Sequence, residues 1–365
     1  RGPGGARSRG RGPAGAAPGR RRARGCDRGR TRLIGRAEPI QEDGATDWPT
    51  FAEKTDKLLT DDCVAAVFGG WTSSSRKAMK PVVEKHNGLL FYPVQYEGLE
   101  SSKNIYYTGA TTNQQILPAM EFLKAEGVKT LFLAGSDYVF PRTANAIIKL
   151  YAAELGIEIV GEEYVPLDKD DWTTQVAKIV EAKPDFIFNT VGFVKASTDA
   201  GLAAETTPII SVSIAEEEAP NMGASVEGQY AAWNYFQSVE TPENKKFIKD
   251  WVAYDGPSDV TSDPMEAAYS SLHLYKAMVE KAGSFDVDEI NAASDGVSFD
   301  APEGTVVVDG DNHHITKPGL IGQINADNQF DVVWSSEGPI DPDPYLEGYE
   351  WFPEATRDAL VKAAG

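Results

Sequence analysis

The chain is poor in sulfur and imidazole: 365 residues hold two cysteines, Cys26 and Cys63, five methionines and four histidines. Two cysteines argue against a disulfide framework, and with so few histidines they also argue against a cysteine- or histidine-rich metal site. No apolar run reaches eighteen residues, so no segment reads as a membrane-spanning helix. The N-terminus lacks the apolar stretch of a signal peptide. Basic residues are also scarce where they would matter. Residues 1–36 hold twelve Arg, no Lys and one Asp, a balance of +11, so the remainder carries −31 of a total of −20. A body that acidic has no basic face for nucleic acid.

Enzyme signatures are missing as well. There is no G-x-S-x-G; the nearest stretch, GASVEG (223–228), has the wrong spacing and no strand before it. Neither a phosphate loop of the G-x-x-x-x-G-K type nor H-E-x-x-H occurs. DGDNHH (309–314) gathers two acids and two histidines in a turn, but adjacent histidines on an extended chain point to opposite sides, which disfavours a shared metal. His86 and His273 stand alone on helices and read as structural. No nucleophile–base pair is present, and no cofactor is implied.

What is present falls into two parts. Residues 1–32 are mostly Arg, Gly, Ala and Pro with no aromatic residue, a composition that buries no core. Three readings stay open for them: a disordered tail, a basic arm, or an out-of-frame stretch of a GC-rich gene. From Asp47 onward, short apolar runs alternate with helix-spaced stretches. Strands are expected at 64–69, 88–92, 105–109, 130–135, 157–165, 185–190, 208–213 and 229–236. Asp47 and Pro49 open the first expected helix; others span 72–86, 113–124, 141–155, 172–182, 242–253 and 263–282. Three short strands after residue 300 read as an antiparallel addition. Such alternation gives parallel sheets covered by helices, and about ten strands suit two α/β lobes better than one sheet.

In parallel sheets, ligands sit beyond the carboxyl ends of the strands. The junction VFGGWTSSSRKAM (67–79) places Trp71, Thr72 and Ser73 to Ser75 at a helix start, where one hydroxyl is needed as a cap and four are present. FYPVQYEG (91–98) offers Tyr92, Gln95, Tyr96 and Glu97, GSDYVFPRT (135–143) offers Ser136, Asp137 and Tyr138, and SVSIAEEEAP (211–220) carries three consecutive glutamates. For each, the plain alternatives are a helix cap, an amphipathic strand edge or a solvated charge run.

From Ile40 onward the sequence resembles the urea or short-chain amide binding proteins of ABC importers, in the branched-chain amino-acid-binding group of type I periplasmic binding proteins. EDGATDWPTFAEK (42–54), FGGWTSSSRKA (68–78), GLLFYPVQYEG (88–98), YYTGATTNQQ (106–115), SIAEEE (213–218), AAWNYF (231–236), SDPMEAAY (262–269) and NHHITKP (312–318) carry the likeness. The resemblance implies a two-lobed α/β fold whose lobes, 37–127 plus 240–318 and 128–239 plus 319–365, are joined by three crossovers and close like a hinge on a ligand. It places Trp71, Thr72, Ser73, Gln95, Tyr96 and Thr112 on the first lobe's wall, with Tyr138 and Glu216 opposite. It also implies an extracytoplasmic location, urea or a small amide as ligand, ABC permease subunits as partners, and membrane association only through the permease or a lipid anchor. The chain departs from the family before Ile40, where the Arg/Gly segment replaces a first strand and helix and would leave a sheet edge or a gap exposed, and after Val191, where a cleft-facing loop is shortened. Alternatives are a cytosolic amide-sensing regulator on the same fold, a branched-chain amino-acid-binding protein, an amidohydrolase, and a chain whose two departures have abolished binding.

Overall fold

The computed structural model describes residues 38–169, 171–222, 226–256 and 260–364; the Arg/Gly-rich segment and its three readings lie outside them. The chain runs through α1 (Trp48–Thr60), β1 (Val67–Phe68), α2 (Ser73–Lys85), β2 (Leu90–Tyr92), β3 (Ile105–Tyr107) and α3 (Thr112–Ala125). It continues with β4 (Thr130–Ser136), α4 (Val139–Leu155), β5 (Glu158–Val165), α5 (Thr173–Ala182), β6 (Phe186–Asn189), α6 (Val194–Asp199), β7 (Ile209–Ser211) and β8 (Tyr230–Trp233). Then follow α7 (Pro242–Tyr254), α8 (Asp263–Ala282), α9 (Val287–Ser294), β9 (Ser298–Ala301), β10 (Gly304–Val307), β11 (Leu320–Ile324), β12 (Phe330–Ser335) and α10 (Glu354–Ala364).

The first lobe is built on a parallel sheet in the order β1-β2-β3. Successive side chains of a strand face opposite sides. Leu90, Tyr92, Ile105 and Tyr107 therefore pack with Leu58 and Leu59 of α1 and Met79 and Val83 of α2. Phe91 and Tyr106 turn the other way, against Leu274 and Met278 of α8 and Ile290 of α9. Asp47 caps α1 by accepting the Thr50 N–H at 3.0 Å, with Pro49 in the first turn; a cap of this kind contributes about 1 kcal/mol. β1 spans two residues where six were expected. It pairs with β2 alone, and Gly69 and Gly70, at φ 127° and 88°, turn the chain out of the sheet.

The second lobe holds seven strands in the order β12-β11-β8-β7-β6-β4-β5. β4 to β8 are parallel and β11 and β12 run antiparallel, as the late short strands suggested. Ile116, Leu117, Met120 and Leu123 of α3 and Phe140, Ile147 and Ile148 of α4 cover one face with Leu131 and Leu133. Trp172, Ile179 and Phe193 cover the other with Phe132, Ala134 and Ile187. The chain passes between the lobes three times: after β3, after β8, and between β10 and β11. Asn234, on the second passage, donates to Gln114 O at 2.9 Å and to Pro318 O at 2.5 Å, so all three passages are laced together.

Candidate functional site

The opening cluster of hydroxyls divides its work. Thr72 is the N-cap of α2: its hydroxyl accepts the Ser75 N–H at 3.0 Å, and Ser75 Oγ accepts the Thr72 N–H at 3.1 Å. This reciprocal pair satisfies two of the helix's free donors. Ser73 is therefore free to reach outward, and its hydroxyl donates to Glu97 Oε2 at 2.5 Å. Trp71 is 57% exposed and stands at the rim.

One turn into α2, Arg76 is completely buried. Its Nε donates to Glu100 at 2.8 Å, its Nη2 to Glu97 at 3.2 Å and its Nη1 to Ser73 at 3.3 Å. The guanidinium carbon lies 4.4 Å from the Tyr96 ring centre and 4.9 Å from that of Tyr92, within the range of cation–π attraction. Burial, the largest influence on Glu100, pushes its carboxyl up, but Arg76, Lys77 and Lys80 together hold it down to about 2. Burial likewise works against the charge on Arg76, yet Glu100 and Glu97 raise its pKa well above the usual value. Both of its carboxylate partners thus keep it charged and occupied.

Tyr96 donates to the Glu100 backbone oxygen at 2.9 Å and meets His314 Nε2 at 2.5 Å. Burial lowers His314 to about 3, so a neutral imidazole faces that phenol. His313 and His314 stack on Tyr106 and Tyr107 respectively, on opposite faces of the first sheet. Thr112 donates to Glu97 O at 2.7 Å, fixing the loop that bears the carboxylate. Gln95 reaches across the lobes, donating through Nε2 to Val212 O at 2.9 Å, while its Oε1 is buried without a partner.

Tyr92 stood with Gln95, Tyr96 and Glu97 at the second expected junction. It ends β2 on the α2 face, and its buried hydroxyl makes no hydrogen bond, although Arg76 and Ser73 are close enough to favour its ionised form. Desolvation outweighs them and raises its pKa. Tyr138, at the N-cap of α4, is likewise raised by burial and lies within electrostatic reach of Tyr92, Glu97 and Arg76. Ser73, Tyr96 and Thr112 therefore meet at one locus with Tyr92, Arg76 and Glu97, and Tyr138 lies within electrostatic reach of it, while Gln95 is bonded to Val212 of the second lobe. Glu216 belongs elsewhere. Its Oε1 accepts the Gln237 N–H at 2.6 Å, and its charged neighbours are Glu217 and Asp263 at the passages between lobes. The signal for Tyr92 was present in the sequence, since a tyrosine at a strand's carboxyl end adjoins the cleft. Arg76 gave none, because its partners lie 21 to 24 residues away.

Among the described residues, the locus offers buried polar atoms, and its guanidinium is already paired with Glu97 and Glu100.

Residues 32–350 match the periplasmic binding protein domain family. The chain is 24% identical over 273 residues to Leu/Ile/Val-binding protein homolog 6 of Brucella suis, covering 72% of this chain and 70% of that protein. A stretch of 119 residues is 34% identical to a Geobacillus stearothermophilus protein named limonene hydroxylase. It covers 33% of this chain and 22% of that protein, so the chain spans about a fifth of this relative's length and takes no activity from it. A solute-binding protein of an ABC transporter from R. palustris, solved with 4-hydroxybenzoate, has a TM-score of 0.76 at 23% identity, over 83% of this chain and 86% of its own. That likeness is one of fold: two α/β lobes of the type I arrangement.

Proposed function

Because this chain belongs to the periplasmic binding protein domain family, we propose that it is the extracytoplasmic solute-binding component of an ABC importer, and that its ligand is urea or a short-chain amide held between the lobes and presented to a permease. No catalytic step is assigned to it.

The observation that carries the ligand class is the state of Arg76. Neighbours of this fold take benzoates, and a carboxylate of that kind is well matched by a free guanidinium. Here Arg76 is buried and spent on Glu97 and Glu100, leaving the locus without a cation to offer. What it does offer is neutral: the Tyr92 hydroxyl as a donor and Gln95 Oε1 as an acceptor, both buried and unpartnered, three residues apart at the exit of β2. Urea presents one carbonyl and four N–H groups on a flat, uncharged frame, and acetamide presents a smaller version of the same pattern. Tyr138 closes over the ligand from α4, Thr112 and Ser73 keep Glu97 in place, and Trp71 shields the rim.

Isothermal calorimetry with urea, acetamide, benzoate and leucine tests the reading. Four heavy atoms at a ceiling of about −1.5 kcal/mol each allow a Kd in the tens of micromolar for urea. Heat with urea or acetamide and none with benzoate supports an amide receptor. Heat with leucine alone overturns it in favour of the amino-acid class suggested by the Brucella relative.

A further inference from the structure

Where the second and third passages cross, carboxyl groups are buried in excess of their counter-charge. Asp263 and Glu266 lie in the first turns of α8, Glu303 lies between β9 and β10, and Glu216 follows β7; each is buried. Lys317, immediately before β11, is the ammonium among them and is wholly buried, 2.7 Å from Glu303 Oε1. Each carboxyl has one oxygen in use. Asp263 Oδ2 accepts the N–H groups of Asn234 and Tyr235 at 3.0 Å each. Glu266 Oε1 accepts Ser270 Oγ at 2.7 Å, and Glu216 Oε1 accepts Gln237 N. The half-buried Glu217, in the second lobe, accepts Ser262 Oγ of the first at 2.8 Å. In all five the second oxygen has no partner.

One ammonium neutralises one carboxylate. Among the described residues no three acidic, histidine or cysteine side chains converge to hold a metal ion. An ionised carboxylate left unpaired in such surroundings is strongly disfavoured, so the excess groups among the four buried carboxyls, Glu216, Asp263, Glu266 and Glu303, keep their protons. We propose that this cluster is a proton-dependent lock on the hinge: protonated, it ties the passages together, and as its carboxyls ionise their mutual repulsion loosens the junction and opens the lobes. The cluster lies outside the proposed ligand locus, and the inference stands whether or not the ligand is an amide.

The groups facing the cluster set the direction. Burial raises Glu266 to about 7 and Glu216 to about 8; Glu303 and Asp263 are raised as well, with Lys317 opposing and Glu217 adding to the repulsion on Asp263 and Glu216. Burial lowers Lys317, but Glu303, Asp263 and Glu266 outweigh it and raise it overall. The Tyr235 phenol, bonded to Asn244 and Thr261, is raised by burial and stays neutral. Acids raised in the folded state bind protons there that the unfolded chain releases. Their penalty is absent below about pH 4.5 and grows as pH climbs through 7 and 8.

The test counts protons. Unfolding of the full chain is followed by calorimetry at about pH 6 in buffers of different ionisation enthalpy, for wild type and Glu266→Gln. The buried neutral imidazoles take up protons equally in both chains, so the difference isolates the glutamate. Wild type should release roughly one proton more than the variant, and from pH 6 to 9 its small-angle scattering radius should grow more than the variant's. Equal proton counts, or equal growth of the radius, overturn the proposal. Should the variant fail to fold, the wild type decides alone: an infrared band of protonated carboxyl that survives at pH 7 supports the lock, and its absence refutes it.

Discussion

The Ser73 hydroxyl lies 2.5 Å from one oxygen of Glu97, and the other oxygen of that carboxylate takes the Arg76 guanidinium at 3.2 Å. Glu97 is thus the joint between a helix start and a buried cation, and Thr112 holds its backbone from a third element. Replacing it with glutamine leaves Arg76 with Glu100 as its one carboxylate partner. Removing one partner of a buried pair costs about 3–5 kcal/mol. Glu97→Gln should show a loss at the lower end of that range in guanidinium chloride unfolding, because Glu100 remains. Guanidinium is the denaturant to use, since urea is the proposed ligand.

Tyr92→Phe separates binding from stability. The hydroxyl has no hydrogen-bond partner in the folded chain, so its removal relieves a desolvated polar group and should leave the unfolding midpoint unchanged or slightly higher. Urea affinity should fall about tenfold, the value of one hydrogen bond to a neutral ligand. Unchanged affinity by calorimetry would remove Tyr92 from the ligand shell.

Gly109 follows β3 on the first passage between lobes. A Cβ there would lie 2.2 Å from the Val94 carbonyl carbon and 2.3 Å from its oxygen, both backbone atoms that cannot turn aside. Gly109→Ala should cost roughly 1–3 kcal/mol and weaken ligand binding, because the displaced backbone leads directly to Gln95. Thermal unfolding and calorimetry on the same sample check both expectations.

On the acid side the sign is the reverse of that at the hinge. Burial pushes Glu100 up, but Arg76, Lys77 and Lys80 bring its pKa down to about 2 from an ordinary 4.5. The stability this pairing supplies is complete above pH 4.5 and disappears as pH falls toward 2, roughly 3 kcal/mol in all. Glu100→Gln should flatten that limb of the stability–pH curve. A wild-type curve that is already flat between pH 5 and 2 would contradict the assignment.

Local rules carried much of the architecture. Asp47 and Pro49 announce α1, and the strand–helix alternation that defines two α/β lobes is written in short apolar runs. Hydroxyls and rings at strand exits were expected on a cleft wall, and three of the eight expected site residues, Ser73, Tyr96 and Thr112, gather around Glu97 and Arg76. The rest depended on distance. Arg76 looked like an ordinary helix arginine because the carboxylates that permit its burial lie on a later loop. Glu216 looked like a ligand group because it leaves a parallel strand, yet its neighbours come from α8 and from the passages, a relationship no local pattern encodes. β1 proved shorter than its apolar run because strand length follows from pairing, and it has a single neighbour. Residues 287–294 formed a short helix, α9, held by Ile290 in the core of the first lobe, which eight residues of modest periodicity did not signal.

The three passages have a consequence for how the molecule comes into being. β1 to β3 are made early, but the helices that cover Phe91 and Tyr106 come from the last third of the chain. Until α8 and α9 have been synthesised, one side of the first sheet has nothing native to rest against. The second lobe needs β11 and β12, later still, to complete its sheet. Neither lobe is a contiguous segment, so no single cut yields either one alone. Contacts this far apart in sequence slow folding, and the first lobe must remain soluble, or be chaperoned, with its aromatic face bare while the rest of the polypeptide emerges.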